Sequence, residues 1–337
     1  MTCYHPLNAS RNVDSHNIVK INFDSSKFAL GSPLKLPCGR CVGCRLERSR
    51  QWAIRCVHEA SLHSSNCFIT LTFSDEYLAT RSNKWSLDYR DWQLFMKRLR
   101  RKVGQVRFYH CGEYGEMCKA CDKSVYICSR SECKLSVTNP DEYKVLGRPH
   151  YHACLFGYDF PDKSLLTVTS TGHRLYRSKL LEDIWTDPKS GMQMGFVTIG
   201  DVTFESAAYV ARYIMKKITG DQEKIDEHYY RHDTGERLKP EYTTMSRCPG
   251  IARDFIDTYV DDIYPHDFVV INGKKCRPPR YYDKVLKMSQ PFLFDEIHYN
   301  RAVNAEKYID NNTPERLIVR EAVQLDSLKL LPRNKDF

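Results

Sequence analysis

The sequence predicts an α+β fold: an open antiparallel sheet with helices packed on one face, and Cys-rich elaborations attached to it. Three observations lead there. Runs of strand length, rich in β-branched and aromatic residues, recur at 67–73, 105–111, 150–156 and 195–200. Segments of helical period lie at 45–62, 88–103 and 203–218. From the first strand onward the order is β-α-β-β, then a strand and a helix, and a Cys-bearing insertion joins the two middle strands as an antiparallel pair.

Each element has its own reason. The helix at 45–62 carries Leu46, Ala53, Val57 and Ala60 at helical spacing. In the strand at 67–73, Thr70 and Thr72 share a face. The helix at 88–103 turns Trp92, Phe95, Leu99 and Val103 inward. No Gly or Pro interrupts 202–219, and Thr203 is placed to cap the helix that follows. Residues 221–245 are charged and turn-rich, 245–250 reads as an ordered loop, and the tail has helical stretches such as 314–325. The chain divides into a Cys-rich arm with a basic helix (1–62), a core (63–220) with a Cys-rich insertion at 117–135, a core-associated extension (221–285) and a helical, polar tail (286–337). There is no internal repeat and no low-complexity tract.

The bulk properties narrow the function. Hydrophobic residues make up 42% of the 337, enough for a packed core. Lys and Arg exceed Asp and Glu by 51 to 42, a net +9, and the excess is clustered. Lys35, Arg40, Arg45, Arg48, Arg50 and Arg55 are opposed only by Glu47, and 97–102 reads Lys-Arg-Leu-Arg-Arg-Lys. Both clusters precede strands of the sheet, so a polyanion is the expected partner, with Arg45, Arg48, Lys97, Arg98 and Arg101 as candidate DNA contacts. No apolar run is long enough to span a membrane, and Met1-Thr2-Cys3-Tyr4-His5-Pro6 lacks the apolar stretch of a signal peptide. A reducing cytosol is expected, where the 14 cysteines serve as metal ligands or free thiols.

The most informative stretch is Gly147-Arg148-Pro149-His150-Tyr151-His152-Ala153-Cys154-Leu155-Phe156-Gly157. On a strand, His150 and His152 project from one face, about 7 Å apart along the chain, within reach of one divalent metal. Tyr151 points the other way, into a core. Downstream, Tyr209, Tyr213 and Lys217 follow i, i+4, i+8 spacing and line one helix face beside a Val210, Ile214, Ile218 stripe.

Two cysteine groups have ligand spacing. Cys38, Cys41 and Cys44 need a fourth ligand, with Cys3 first and His5 in reserve, and structural zinc is placed ahead of an iron–sulfur cluster or uncoordinated thiols. Such a site would staple the N-terminal arm to the basic helix. Cys118, Cys121, Cys128 and Cys133 form a second possible zinc knuckle inside the insertion, with an unmetallated loop as the alternative. Cys56, Cys67, Cys111, Cys154, Cys248 and Cys276 read as ordinary buried or incidental cysteines.

A His-hydrophobic-His strand followed by a helix carrying Tyr-x-x-x-Tyr resembles the HUH rolling-circle replication initiators, in the two-tyrosine form typical of small circular single-stranded DNA phages. The likeness extends, in order, through Pro37 to Arg45, Phe68 to Phe73, a Gly112-Glu113-Tyr114-Gly115 turn, Arg148 to Gly157, Gly200 to Lys217 and Met245 to Gly250. Over about residues 1–285 the chain is similar to the initiators of gokushoviruses, a branch of the Microviridae. That resemblance implies a palm-like sheet of about five strands forming an HUH endonuclease core.

It also implies metal-dependent, site-specific nicking of one strand at a phage origin through a 5′-phosphotyrosine intermediate, with a 3′-hydroxyl left as primer and later religation of a single-stranded circle. Tyr209 and Tyr213 would be the nucleophiles, with Lys217 assisting. Mg²⁺ or Mn²⁺ would sit on His150, His152 and Glu113, or Glu116 as the alternative third ligand. Arg148 would touch backbone phosphate. The partners implied are origin DNA, both single-stranded and replicative-form, and a host helicase and polymerase, in the host bacterial cytoplasm. No Walker A pattern is present, so the helicase comes from elsewhere. The competing reading is a non-catalytic, zinc-dependent nucleic-acid-binding protein. A single-tyrosine transposase or a plasmid relaxase fits less well, because here the tyrosines are paired and follow the histidines.

Overall fold

The computed structural model describes residues 3–13, 19–24, 32–118, 144–169, 172–216, 222–231 and 235–330; the side chains at 116–118, 144–145, 212–216, 224 and 329–330 lie outside that description. In chain order the elements are β1 (Leu7–Val13), β2 (Val19–Asn22), β3 (Ser32–Leu36), α1 (Val42–Ser61), β4 (Asn66–Thr72), α2 (Asp75–Thr80), α3 (Tyr89–Val103), β5 (Arg107–Cys118), β6 (Lys144–Phe156), β7 (Ser164–Val168), β8 (Arg174–Arg177) and α4 (Lys179–Ile184). There follow β9 (Val197–Gly200), α5 (Phe204–Lys216), α6 (Gln222–His228), β10 (Tyr230–Arg231), β11 (Glu236–Arg237), β12 (Tyr242–Met245), α7 (Arg253–Ile263), β13 (Val269–Ile271), β14 (Lys274–Cys276), α8 (Arg280–Ser289), α9 (Pro291–Glu306) and α10 (Pro314–Leu330). The chain divides into two compact units, one of Met1–Gln51 with Asp261–Pro332, the other built on Trp52–Val260.

The first unit contains a small antiparallel sheet, β2-β1-β3, the first turns of α1, the β13–β14 hairpin and helices α8 to α10. Arg301 pairs with both Asp267 and Asp283, tying α9 to α8 and to the turn before β13. Tyr264 donates to the same Asp283 at 2.6 Å.

The second unit is organised by an antiparallel sheet of order β12-β5-β6-β4-β9-β8-β7. The expected strand order is observed, with seven strands among the described residues where about five are expected. The β7–β8 hairpin extends one edge, and every residue of β7 is exposed, so it has no apolar alternation for the sequence reading to detect.

Alternation sorts the strand residues onto two faces. Ile69 faces Ala153 and Ile199 across the ladder, and Leu71 faces Tyr151 and Val197. This face is covered by α3 and by the α4 region, through buried Trp92, Phe95, Leu99, Leu181 and Trp185. The N-terminus of α3 is capped by Asp88, whose carboxylate accepts from the Arg90 amide, and its end is turned by Gly104 at φ +88°. The opposite face carries Thr70, Thr72, Cys111, Glu113, His150 and His152. Here α1 and α5 approach: Trp52 stacks on Tyr109 with ring centroids 4.8 Å apart, and Tyr209 meets Phe68 edge-on at 6.5 Å. Helices therefore lie on both faces, not one. The strands are buried on both sides, which a reading from apolar alternation alone does not reveal.

Two local expectations are corrected. Gly112-Glu113-Tyr114-Gly115 is not a turn but continues β5. Tyr114 is buried and donates to the Lys239 carbonyl, and a Cβ at Gly112 would meet Tyr242, Tyr151 and Leu87 at 3.0–3.2 Å. These glycines make room for packing instead of reversing the chain. Pro149 likewise does not end what precedes it, because β6 begins at Lys144. Pro149 lies opposite Tyr114, next to the register shift between Tyr114 and Glu116, where a missing amide is tolerated.

Candidate metal centre and nucleophile helix

The ladder builds the centre. Glu113 on β5 lies opposite His150 on β6, and Cys111 and Thr70 lie opposite His152 from either side. One carboxylate from β5 and two imidazoles from β6 are thus delivered to one spot by two adjacent strands, with Thr70 of β4 beside them. Glu113 Oε1 lies 2.8 Å from His150 Nε2 and 2.8 Å from His152 Nε2, and the candidate ligand atoms lie within 4.8 Å of one another. Glu113 and His152 are each 1% exposed, and His150 is half-buried.

The far side of each ring is also held. His150 Nδ1 donates to the Arg148 carbonyl at 3.0 Å, and His152 Nδ1 lies 2.9 Å from Thr70 Oγ1. The first bond selects a tautomer. With Nδ1 carrying the proton, neutral His150 turns an Nε2 lone pair toward the Glu113 carboxylate. Two acceptors at that distance need a proton or a cation between them. Burial opposes the charged carboxylate, but His150 and His152 outweigh it and hold Glu113 down to about 2. Two imidazoles, each oriented from behind, and a carboxylate therefore fit a divalent cation in a site of mixed N and O ligands.

The helix α5 presents Tyr209 to the same place. Thr203 caps it, its hydroxyl accepting from the Ser206 amide at 3.1 Å, and Ala207, Val210 and Ala211 bury its inner stripe. The Tyr209 ring lies 5.1 Å from the His152 ring, edge-on at 88°, and Phe68 stacks beside His152 at 5.6 Å. Tyr213 follows one turn later on the α5 backbone, and its side chain lies outside the described residues, as does the whole of Lys217. The same holds for the side chains of Glu116 and Cys118, and for Cys121, Cys128 and Cys133 entirely.

The other candidates separate. Arg148 does not stand free: its guanidinium donates to the Phe73 carbonyl and to Asp75, the latter at 2.6 Å. Arg98 donates to the Ile184 carbonyl at 2.8 Å and so braces α3 against the end of α4. Lys97 and Arg101 are exposed on α3, which covers the sheet face opposite the His–Glu centre. Arg45 and Arg48 lie on the first turns of α1, half-buried and exposed respectively. Thr70 was not among the residues expected to act; alternation put it on one face with Thr72, and the β4–β6 register puts that face on the histidine side.

A second ligand cluster forms in the first unit. The Sγ atoms of Cys3, Cys38, Cys41 and Cys44 lie within 4.8 Å of one another. Cys41 and Cys3 are 3.9 Å apart, close to the roughly 3.8 Å edge of a tetrahedron of 2.3 Å zinc–sulfur bonds. Gly39 at φ +74° makes the turn between Cys38 and Cys41, and the amides of Arg40 and Cys41 point at Cys38 Sγ from 3.4 and 3.3 Å. Burial raises Cys3 and Cys44; it also opposes ionisation of Cys38, but those two amides bring that thiol down to about 7. Four thiols this close cannot all ionise unaided, and a cation resolves that by taking thiolates. His5 bonds Glu321 at 2.6 Å, away from this set. The Cys₄ cluster is compatible with metal binding.

Fold and sites together define an α+β protein with two metal-type ligand sets, one of them beside a helix-borne tyrosine. By sequence it is similar to replication-associated proteins of Microviridae-type phages. Replication-associated protein VP4 of Bdellovibrio phage phiMH2K is 27% identical over 342 residues, covering 98% of this chain and 86% of that protein. Replication-associated protein ORF2 of Spiroplasma virus 4 is 27% identical over 350 residues, covering 97% and 93%. Replication-associated protein ORF4 of Chlamydia phage 1 is 27% identical over 276 residues, and the chain spans 57% of its length. No protein-family profile and no solved structure matches the chain. Among the described residues no helix is long and apolar enough to cross a membrane.

Proposed function

We propose that this protein is a rolling-circle replication initiator that nicks one strand of a phage origin through a tyrosine of α5. The observation that carries this is the shared sheet face: Glu113, His150 and His152 converge there, with the Tyr209 ring 5.1 Å from His152. The replication-associated names of the relatives support the same reading.

The chain's own residues supply most of the chemistry. The phenol oxygen of Tyr209 attacks phosphorus, an O–P bond forms, and the bond from phosphorus to the 3′-oxygen breaks. The phenol proton ends on the departing 3′-oxygen, so the products are a 5′-phosphotyrosyl link and a 3′-hydroxyl. Glu113, His150 and His152 would hold Mg²⁺ or Mn²⁺, which would offset the charge of the scissile phosphate. Tyr213 stands one turn on to take the second cut, so that the new 3′-hydroxyl resolves the first adduct and releases a circle. Lys217 assists at phosphate. In the same reading the Cys₄ cluster holds zinc as a structural ion. Origin DNA is the substrate, the host helicase and polymerase extend the primer, and the reaction takes place in the host cytoplasm.

The test uses a labelled single-stranded origin oligonucleotide with Mn²⁺. Wild-type protein is expected to form a covalent adduct stable in denaturing gels. Tyr209→Phe/Tyr213→Phe is expected to form none, and mass spectrometry of the attached peptide identifies the nucleophile. An adduct that persists in the double variant overturns the assignment.

A further inference from the structure

The cysteine cluster carries a collar of cations for which the nicking centre has no use. Arg40 sits in the Cys38–Cys41 turn itself, and its backbone amide donates to Cys38 Sγ. Arg48 is one helical turn after Cys44 on α1, and its guanidinium lies 3.9 Å from where a Cβ would stand on Gly39 of that turn. Lys35, exposed on β3, precedes the turn by three residues. Arg40 and Arg48 are exposed as well. Among the described residues no carboxylate pairs with any of these three. The nearby acids are taken elsewhere: Glu47 binds Arg50 at 2.6 Å and Gln51 at 2.7 Å, and Glu321 binds His5.

Unpaired, solvent-facing cations arranged on a rigid turn suit phosphate oxygens. A metal-bound knuckle fixes its backbone, so the main chain that carries Arg40 and starts the helix of Arg48 needs no ordering when DNA binds. Arg also presents its donors as a fork that matches phosphate.

We infer that the Cys3, Cys38, Cys41, Cys44 site, loaded with zinc, is a DNA-docking module in which Arg40 and Arg48, with Lys35 beside them, grip the phosphate backbone. The docking rests on the reading of the chain as a DNA-acting protein with zinc at these thiols, but it needs no nicking. It contributes affinity and not base recognition, since phosphate contacts carry no sequence information.

The experiment measures binding of the full chain to a fluorescent single-stranded oligonucleotide by anisotropy, across a salt series, with no Mg²⁺ or Mn²⁺ added, together with zinc content by mass spectrometry. Arg40→Ala/Arg48→Ala is expected to keep its zinc, to bind roughly tenfold more weakly, and to show a salt slope shallower by about 1.4, at about 0.7 per lost phosphate contact. Cys38→Ser/Cys41→Ser is expected to contain one zinc fewer and to bind at least as weakly. Lys84→Ala/Lys189→Ala removes the same charge from exposed positions of the other unit and is expected to bind like wild type. Unchanged affinity and slope in Arg40→Ala/Arg48→Ala overturns the docking role. An equal loss in the Lys84→Ala/Lys189→Ala control does so too, by reducing the effect to net charge. Loss of zinc from Arg40→Ala/Arg48→Ala also overturns it, because the cations would then serve to offset thiolate charge. Absence of a covalent adduct in a protein that binds DNA with these properties strikes the nicking proposal and leaves the docking one standing.

Discussion

Thr70 shows how much a single hydroxyl decides. It lies 2.9 Å from His152 Nδ1 and so orients the ring whose other nitrogen faces Glu113. If His152 is a metal ligand, Thr70→Val keeps the shape of the strand and removes the orienting bond. Mn²⁺ affinity, followed by titration calorimetry, is expected to fall roughly 10- to 100-fold. A Thr70→Val protein that binds Mn²⁺ as tightly as wild type speaks against His152 as a ligand. The two histidines were legible from their i, i+2 spacing, and Glu113 was legible only as one of two candidates with Glu116, in a segment expected to turn. Thr70 was visible only as a residue sharing a face with Thr72, because which face meets the histidines depends on register, and register is set across strands.

Helix α1 illustrates the same point for an element. Its second half packs His58 flat against Phe255 of α7, with ring centroids 3.8 Å apart. Burial pushes His58 down to about 4, against an ordinary value near 6.5. The sign follows directly. Between pH 6.5 and 4 the unfolded chain takes up a proton that the folded chain refuses, so stability falls as pH drops through that window, and the loss levels off below 4. Its full size is about 3 kcal/mol. Urea unfolding at pH 7 and pH 5 is expected to cost the wild type about 2 kcal/mol more than His58→Phe, which keeps the stacking and removes the titration. Equal losses in the two proteins overturn this account. One residue further, buried Glu59 pairs with Arg107 and accepts from the Ala252 amide, while Arg107 also donates to the carbonyls of Pro249 and Gly250. The loop at 245–250, legible as ordered, is ordered by this clamp, whose parts are far apart in sequence. Helical period found α1, α3 and α5 to within a few residues. It did not find the first turn of α1, which opens inside the cysteine motif with the Arg45 amide donating to the Cys41 carbonyl.

At the scale of the molecule, charge and cysteines were informative in composition but not in placement. The basic run at 97–102 lies on a helix that covers the face away from the His–Glu centre, and Arg98 within it is spent on the Ile184 carbonyl. Within the N-terminal cluster, Arg40 and Arg48 instead flank the Cys38–Cys41 turn, while Arg50 pairs with Glu47 and Arg55 donates to the Ile251 carbonyl. Where zinc is bound to four thiolates, its binding free energy is folding free energy. Addition of a strong chelator is expected to lower the melting temperature by about 5 °C or more, and Zn²⁺ is expected to restore it. A melting curve indifferent to the chelator excludes a stabilising ion at the cysteines.

Residue spacing by itself determined some local facts: the strands at the histidines and at 67–73, the helices α1, α3 and α5 to within a few residues, that His150 and His152 share a face, that Tyr209 and Tyr213 share another, and that three cysteines lie within one knuckle. Those follow from the two- and 3.6-residue repeats of the backbone, which are properties of the chain alone. Only the tertiary structure decided that Glu113 closes the histidine pair, that Tyr209 comes to His152, that Cys3 completes the thiol set and that both sheet faces are covered. Such contacts join residues 35 or more positions apart. They are chosen by ladder register and by which apolar faces must be buried together, and no periodicity within a segment contains that information.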